Sequence, residues 1–174
     1  MGVIQGDKSQ FRFLVLEFEK KIFYYFLRMT KDYEEAKDLT QNTFLRAFNY
    51  IRSYNFDYSF QSWLYSIAHN QLKDWWLKKK KDSFSIEEME EKYFFKFSSD
   101  EEVIQTLSDK NLNEKVREAV SALPDLYREI MLLLLVENQS YDEIASVTEL
   151  PLNTVKIRIH RARKLLRKAL EKWL

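Results

Sequence analysis

Cysteine is absent from this chain of 174 residues. That excludes disulfides and thiolate-held metal, and it suits a reducing cytoplasm. Glycine and proline are almost as scarce: Gly2 and Gly6 lie at the extreme start, and Pro124 and Pro151 are the only prolines. With so few turn-formers, neither a β-hairpin nor a glycine-rich phosphate loop is expected. Histidine is limited to His69 and His160, which are far apart and have no second ligand in helical register. No metal site and no cofactor are expected from them. Long apolar runs are missing as well. The longest uncharged apolar run, Ile130 to Val136, is too short to cross a bilayer, and Phe11 to Met29 is broken by Arg12, Glu17, Glu19, Lys20 and Lys21. No signal peptide or membrane span is expected, and the chain reads as cytoplasmic.

An apolar content of 45% is ample for a core in one large or two small domains. Helical spacing is legible along most of the chain, so the fold class expected is all-α. The interruption is acidic. Between Asp82 and Glu102 stand Asp82, Glu87, Glu88, Glu90, Glu91, Asp100, Glu101 and Glu102 against Lys92 and Lys96, together with a YFFKF cluster at 93–97. Residues 82–108 are therefore expected to be a linker between a helical domain at 1–81 and a second at 109–174, the alternative being one compact domain with an irregular excursion. YFFKF is too apolar to stay in solvent and should dock. The formal charge of +1 conceals a basic C-terminal end.

That end reads SYDEIASVTELPLNTVKIRIHRARKLLRKAL, from Ser140 to Leu170. Ser140 followed three residues later by Glu143 is a capping box, which starts a short helix at Tyr141 and carries Ile144 and Ala145 inward. Pro151 suits the first position of a second helix, which begins near Leu152. In that helix Val155, Ile159, Ala162, Leu166, Ala169 and Trp173 form one apolar stripe. Ile157, His160, Arg161, Lys164 and Lys168 lie opposite, with Lys156, Arg158, Arg163 and Arg167 on the flanks. Glu171 is the only acid after Glu149. Phosphate is the natural counterion for such a face, and the pair of helices has the order of a helix-turn-helix. Ile157 has no packing reason to stand amid the cations, whereas a thymine methyl group would suit it.

Upstream, Ala36 to Phe48 should be helical, with Leu39, Thr43, Phe44, Ala47 and Phe48 facing a core. Asp38, Gln41, Asn42, Leu45 and Asn49 then form the opposite strip at i, i+3, i+4, i+7 and i+11. Such a strip suits either solvent or docking against another helix. In the loop SYNFDYSFQSW the aromatics Tyr54, Phe56 and Tyr58 stand among Asn55, Asp57 and Ser59. They serve either as anchors to the core or as a stacking platform for unpaired bases. A helix from about Ser59 to Lys79 should turn Phe60, Leu64, Ile67, Ala68 and Trp75 inward, leaving Tyr65, His69, Asn70, Lys73 and Trp76 to face elsewhere. With Lys78 to Lys81, the outward set makes a second basic and aromatic surface.

The order DYEEAKDLTQNTFLRAF, aromatic loop, SFQSWLYSIAHNQLKDWWLKKK, acidic segment, ALPDLYREIMLLLL and SYDEIASVTELPLNTVKIRIHRARK resembles the extracytoplasmic-function sigma factors of bacterial RNA polymerase. The resemblance covers nearly the whole chain after the first dozen residues. It implies a region 2 domain, a region 4 domain and an initiation factor with no catalytic site. Asp38, Leu39, Gln41, Asn42, Leu45 and Arg46 would then bind the β′ clamp helices of core polymerase, while region 4 would meet the β flap. The loop residues Tyr54, Asn55, Phe56, Asp57, Tyr58 and Ser59 would capture a flipped minus-10 base. His69, Asn70, Lys73, Trp76, Lys78 and Lys79 would hold the non-template strand and upstream edge. Asn153, Thr154, Lys156, Ile157, Arg158, His160, Arg161, Arg163 and Lys164 would read the minus-35 element, with Tyr141 and Asp142 near the backbone. An anti-sigma factor is a further implied partner.

The chain departs from the family's pattern at several points. Glu149 stands at a usual glycine of the turn, so either it adopts a left-handed backbone or the turn differs. Asn153 replaces a second frequent glycine, Ile157 a small polar residue, and Asn42 a frequent acid. A regulator that binds duplex DNA without polymerase would also account for the C-terminal helices, but would leave the strip and the aromatic loop unused. An enzyme would need a nucleophile with its base, or paired carboxylates on one face, and neither is legible.

Overall fold

The computed structural model describes residues 8–79 and 110–171. Among them the regular structure is helical, as expected. The acidic segment and its YFFKF cluster, along with Lys80, Lys81 and Trp173, lie outside the described residues.

Helix α1 (Lys8–Thr30) buries Phe11, Phe18, Ile22, Tyr25, Phe26 and Met29, one stripe at helical spacing. Lys31 then takes a left-handed backbone (φ 57°), its N–H bonding to the Leu27 carbonyl, and the chain reverses. Asp32 caps α2 (Tyr33–Tyr50) by accepting the Glu35 N–H at 3.1 Å, and Glu34 and Glu35 add negative charge at the positive end of the helix. The stripe Ala36, Leu39, Thr40, Thr43, Phe44 and Ala47 is buried. Its two threonines satisfy their hydroxyls on the carbonyls one turn back, those of Ala36 and Leu39.

A short 3₁₀ turn (Ile51–Ser53) and the aromatic loop lead to α3 (Phe60–Lys79). Among the described residues four helices follow: α4 (Lys110–Ser121), α5 (Asp125–Leu135), α6 (Tyr141–Thr148) and α7 (Leu152–Leu170). The uncharged run expected to be buried forms α5, where Ile130, Met131, Leu132 and Leu133 are buried, but Leu135 and Val136 emerge at its end.

The helices of the two halves are packed together. Buried side chains from α1, α2 and α3 and from α4 to α7 belong to one continuous apolar cluster. This overturns the expected orientation of two α3 residues. Tyr65 is wholly buried and meets the Tyr25 ring edge-on at 5.3 Å, while His69 is 9% exposed. The inward side of α3 is wider than one stripe because α3 lies between the N-terminal helices and α5 and α6.

Candidate polymerase and nucleic-acid interface

On α2 the polar strip is intact. Asp38, Gln41, Asn42, Leu45 and Asn49 are all exposed, Leu45 by 62%. Arg46 is exposed beside the strip, 3.9 Å from Asp74 on α3. Leu39 is not part of this surface. It is buried with the core stripe, as its spacing required, so the resemblance carried it to a face it does not occupy.

The aromatic loop divides its labour. Tyr54 packs on Phe60 and Trp63 at centroid distances of 5.7 and 5.3 Å, and its hydroxyl donates to the Tyr58 carbonyl at 2.7 Å. Asn55 Oδ1 accepts the Asp57 N–H and Asn55 Nδ2 donates to Asp57 Oδ2, both at 3.0 Å, which closes the tip locally. Phe56 (66% exposed) and Tyr58 (57%) are thereby presented to solvent on a fixed backbone, with Ser59 also exposed. Tyr54 is the anchor, and the other two aromatics are available for stacking.

Along α3, Lys73, Lys78 and Lys79 are exposed and Asn70 and Trp76 half-buried. The Lys79 ammonium sits 4.4 Å from the centre of the Trp75 ring, which holds it against the helix end. His69, expected on this surface, instead places Nδ1 2.7 Å from Glu129 Oε1 on α5. Glu129 is itself buried and accepts the Tyr25 hydroxyl through the same oxygen at 2.5 Å. Burial works against the imidazolium, but the hydrogen bond and charge of Glu129, with the more distant Glu149, outweigh it and raise the His69 pKa against the opposing Lys73. Tyr25 is driven up by burial and by the same carboxylate.

Three more contacts cross between the halves. Gln61 Nε2 donates to the Glu137 carbonyl at 2.9 Å, and the hydroxyls of Ser59 and Ser62 donate to Glu143 Oε1 at 3.1 and 3.0 Å. Tyr65 Oη has no partner in hydrogen-bonding geometry, yet burial and the nearby Glu137 carboxylate push its pKa far up. Glu137 is itself raised, by burial above all. Sequence reasoning missed Glu129 and Glu137 as cross-contacts. The available signal was an acid on either side of a buried apolar run, where an unpaired charge is costly. Glu143 was legible only as a cap.

At the C-terminal end the capping box is formed as its spacing required: Glu143 N–H donates to Ser140 Oγ at 3.2 Å, and Ser140 N–H to Glu143 Oε2 at 2.9 Å. These bonds, the Ser140 N–H foremost, hold the Glu143 carboxyl below the usual carboxylate range. Ile144 is buried and Ala145 half-buried. Glu149 resolves the question of the turn by adopting the left-handed conformation itself (φ 56°, ψ 27°), while Leu150 N–H reaches back to the Ala145 carbonyl at 3.1 Å. Pro151 precedes the next helix as its cap residue, one position earlier than expected.

In α7, Val155, Ile159, Ala162 and Leu166 are buried as expected, but the last buried position among the described residues is Leu170, and Ala169 is exposed. The outward face holds Asn153, Lys156, Ile157, His160 and Arg163, with Thr154, Arg158, Arg161 and Lys164 half-buried. Ile157 is 50% exposed among these cations. Ahead of the turn, Asp142 is exposed and Tyr141 half-buried. The chain thus presents a polar strip, an aromatic loop leading into a basic helix, and a helix-turn-helix with a cationic second helix.

Comparison with known proteins gives this combination its family. Residues 14–82 match the model of sigma-70 region 2 and residues 113–166 that of sigma-70 region 4. The chain is 32% identical to the ECF RNA polymerase sigma factor SigW of Bacillus subtilis, over 97% of this chain and 92% of that one. It belongs to the ECF sigma factors. The RNA polymerase sigma-H factor of Pseudomonas aeruginosa is also 32% identical, over 99% of this chain and 92% of its own length. The fold is that of the sigma factor RpoE solved with the anti-sigma factor NepR from Bartonella quintana (TM-score 0.68, 21% identity, 94% of this chain and 98% of that one). This ECF sigma factor is therefore an alternative sigma factor that directs RNA polymerase, and the families it matches are initiation factors and not catalytic ones. Among its described residues no helix is long and apolar enough to cross a membrane.

Proposed function

We propose that the chain works in the cytoplasm, without a catalytic site of its own, by dividing promoter recognition among these surfaces. Asp38, Gln41, Asn42, Leu45 and Arg46 dock on the β′ clamp helices of core polymerase, while the C-terminal helices meet the β flap. Residues 1–81 and 109–174 act as the two functional domains, joined by 82–108. Tyr58, Phe56 and the rest of the loop Tyr54–Ser59 take a flipped minus-10 base, and Asn70, Lys73, Trp76, Lys78 and Lys79 hold the unpaired strand. Unpairing costs a few kcal/mol, and stacking returns about 1–3 kcal/mol per base, so binding alone opens the duplex. The minus-35 element is read by Asn153, Thr154, Lys156, Ile157, Arg158, His160, Arg161, Arg163 and Lys164, with Tyr141 and Asp142 beside the backbone. An anti-sigma factor holds the chain inactive, a partner of the kind that RpoE has in its complex with NepR.

The observation that carries this reading is the exposed strip on α2. An isolated duplex-binding regulator has no use for a polar row with a 62% exposed leucine in a segment matched by region 2. The test is run-off transcription with core polymerase on genomic fragments, comparing the native chain with Asp38→Ala, Asn70→Ala and Arg161→Ala. Core-dependent transcripts that fade in all three variants are expected. Tight duplex binding without any core-dependent transcript would refute the assignment.

A further inference from the structure

Helix α1 is apolar on two sides. Winding it at about 100° per residue puts Phe13, Leu16, Lys20, Tyr24 and Leu27 opposite the buried stripe that runs from Phe11 to Met29. Phe13, Leu16 and Tyr24 are exposed, Phe13 by 71%, and Leu27 is half-buried. Half-buried Phe23 borders this second face and joins it to the start of α2. Its ring meets those of Tyr24 and Tyr33 edge-on at 5.5 and 5.3 Å, and Tyr33 is itself exposed. Single exposed apolar residues are ordinary, but a row of them along the far side of a core helix marks a second partner. These side chains keep their exposure with every described helix in place.

The charges beside the face are mainly positive. Lys20 lies at its centre, and with Arg12, Lys21 and Arg28 it outnumbers Glu17 and Glu19, while Glu34 and Glu35 lie beyond Tyr33. The Arg28 guanidinium stands 5.7 Å from the centre of the Tyr24 ring, so cation and aromatic already alternate here. A matching partner combines aromatics with acids. The chain carries such a segment itself: Tyr93, Phe94, Phe95 and Phe97 are preceded by Glu87, Glu88, Glu90 and Glu91 and followed by Asp100, Glu101 and Glu102. Thirteen residues, 80–92, separate the end of α3 from Tyr93, and residues 98–109 separate Phe97 from the start of α4. Thirteen extended residues span about 43 Å. With 23 residues, α1 is about 34 Å long, and it shares one core with α3. The tether is long enough.

We propose that the outward face of α1 is the docking site of residues 93–97, with Phe13, Leu16 and Tyr24 receiving the aromatics and Arg12 and Lys20 their acidic flanks. The segment that joins the two functional domains is then fixed to the N-terminal half at a point between its ends. The proposal stands apart from the DNA and polymerase contacts assigned above. The outward face of α7 is more cationic, but among the described residues Ile157 is its exposed large apolar side chain, too little for four aromatics. A second copy placed face to face would set Arg12 and Lys20 against the same cations.

The experiment uses the full isotope-labelled chain with Ser99→Cys as its single thiol, since the native chain has no cysteine. A nitroxide on that thiol broadens the amide resonances near it. Broadening along Phe13 to Leu27 is expected to be several-fold greater than along Lys156 to Lys164 of α7, and unchanged on dilution. Leu16→Asp and Phe13→Asp, both at exposed sites, are each expected to reduce it several-fold while circular dichroism and the amide shifts of the buried α1 stripe stay native. Broadening that favours α7, or that misses α1, overturns the proposal. So does broadening of α1 that persists undiminished in both variants. Broadening that passes between molecules, seen when nitroxide-bearing and isotope-labelled chains are mixed, gives the face to a second copy and overturns it as well.

Discussion

His69 Nδ1 lies 2.7 Å from Glu129 Oε1, joining α3 to α5 across 60 residues of sequence in a buried setting. The groups around the imidazole are Glu129 and, through it, Tyr25, with Glu149 and Lys73 at longer range. Because the native pKa is raised above the ordinary histidine value of about 6.5, the pair contributes fully below that pH. Its contribution is lost as pH rises through the raised value. NMR titration is simple with only two histidines, and it should show His69 titrating above the ordinary value in the native chain and lower in Glu129→Gln. An unshifted His69 would count against the pairing.

Glu149 holds a left-handed backbone at a position glycine occupies without a side-chain clash. Glu149→Gly should raise stability by up to about 1 kcal/mol, less whatever the glycine costs in unfolded-state entropy. Urea unfolding monitored at 222 nm would read this as a higher midpoint with an unchanged slope.

Ile157 and Ile159 are two residues apart on α7, yet one is 50% exposed and the other 1%. Ile159→Ala should cost about 2–5 kcal/mol by leaving a cavity. Ile157→Ala should cost under about 0.5 kcal/mol. Equal losses in thermal melts would mean that α7 is rotated from the orientation described.

The same Ile157 gives a prediction about sequence preference. Replacing thymine by uracil in a bound minus-35 duplex removes only a methyl group, and should weaken binding several-fold if that methyl lies on Ile157. Ile157→Ser should bind the two duplexes alike. A native chain indifferent to the methyl would assign the side chain another role.

Leu45 is the apolar centre of the α2 strip and is 62% exposed, so replacing it leaves the buried stripe of α2 in place. Leu45→Asp is expected to leave the melting temperature within a few degrees and to reduce the affinity for core polymerase at least tenfold, measured by competition with a labelled sigma factor. Loss of fold in place of affinity would sink the docking assignment.

What was legible in the sequence was mostly local. The Ser140–Glu143 box, the start of α7 near Leu152 and the strip on α2 each depend on residues within a few turns, and each appears where its spacing required. The last buried position of α7 among the described residues was missed because a stripe with alternating steps of four and three repeats every 3.5 residues, whereas a straight helix turns every 3.6. The mismatch accumulates along the helix, so that Leu170 is buried in place of Ala169. Tyr65 and His69 were misplaced for a different reason. Periodicity identifies one buried face, and nothing within α3 announces that α5 and α6 cover a second. The buried acids that do so, Glu129 and Glu137, acquire meaning only from partners 60 or more residues away.

Glu143 uses its two oxygens for different purposes. Oε2 accepts from Ser140 within its own turn, while Oε1 takes the hydroxyls of Ser59 and Ser62 from a neighbouring helix. Letting go of the neighbour therefore leaves the helix start still tied. The reading head thus begins its first helix on bonds of its own and does not borrow that start from α3.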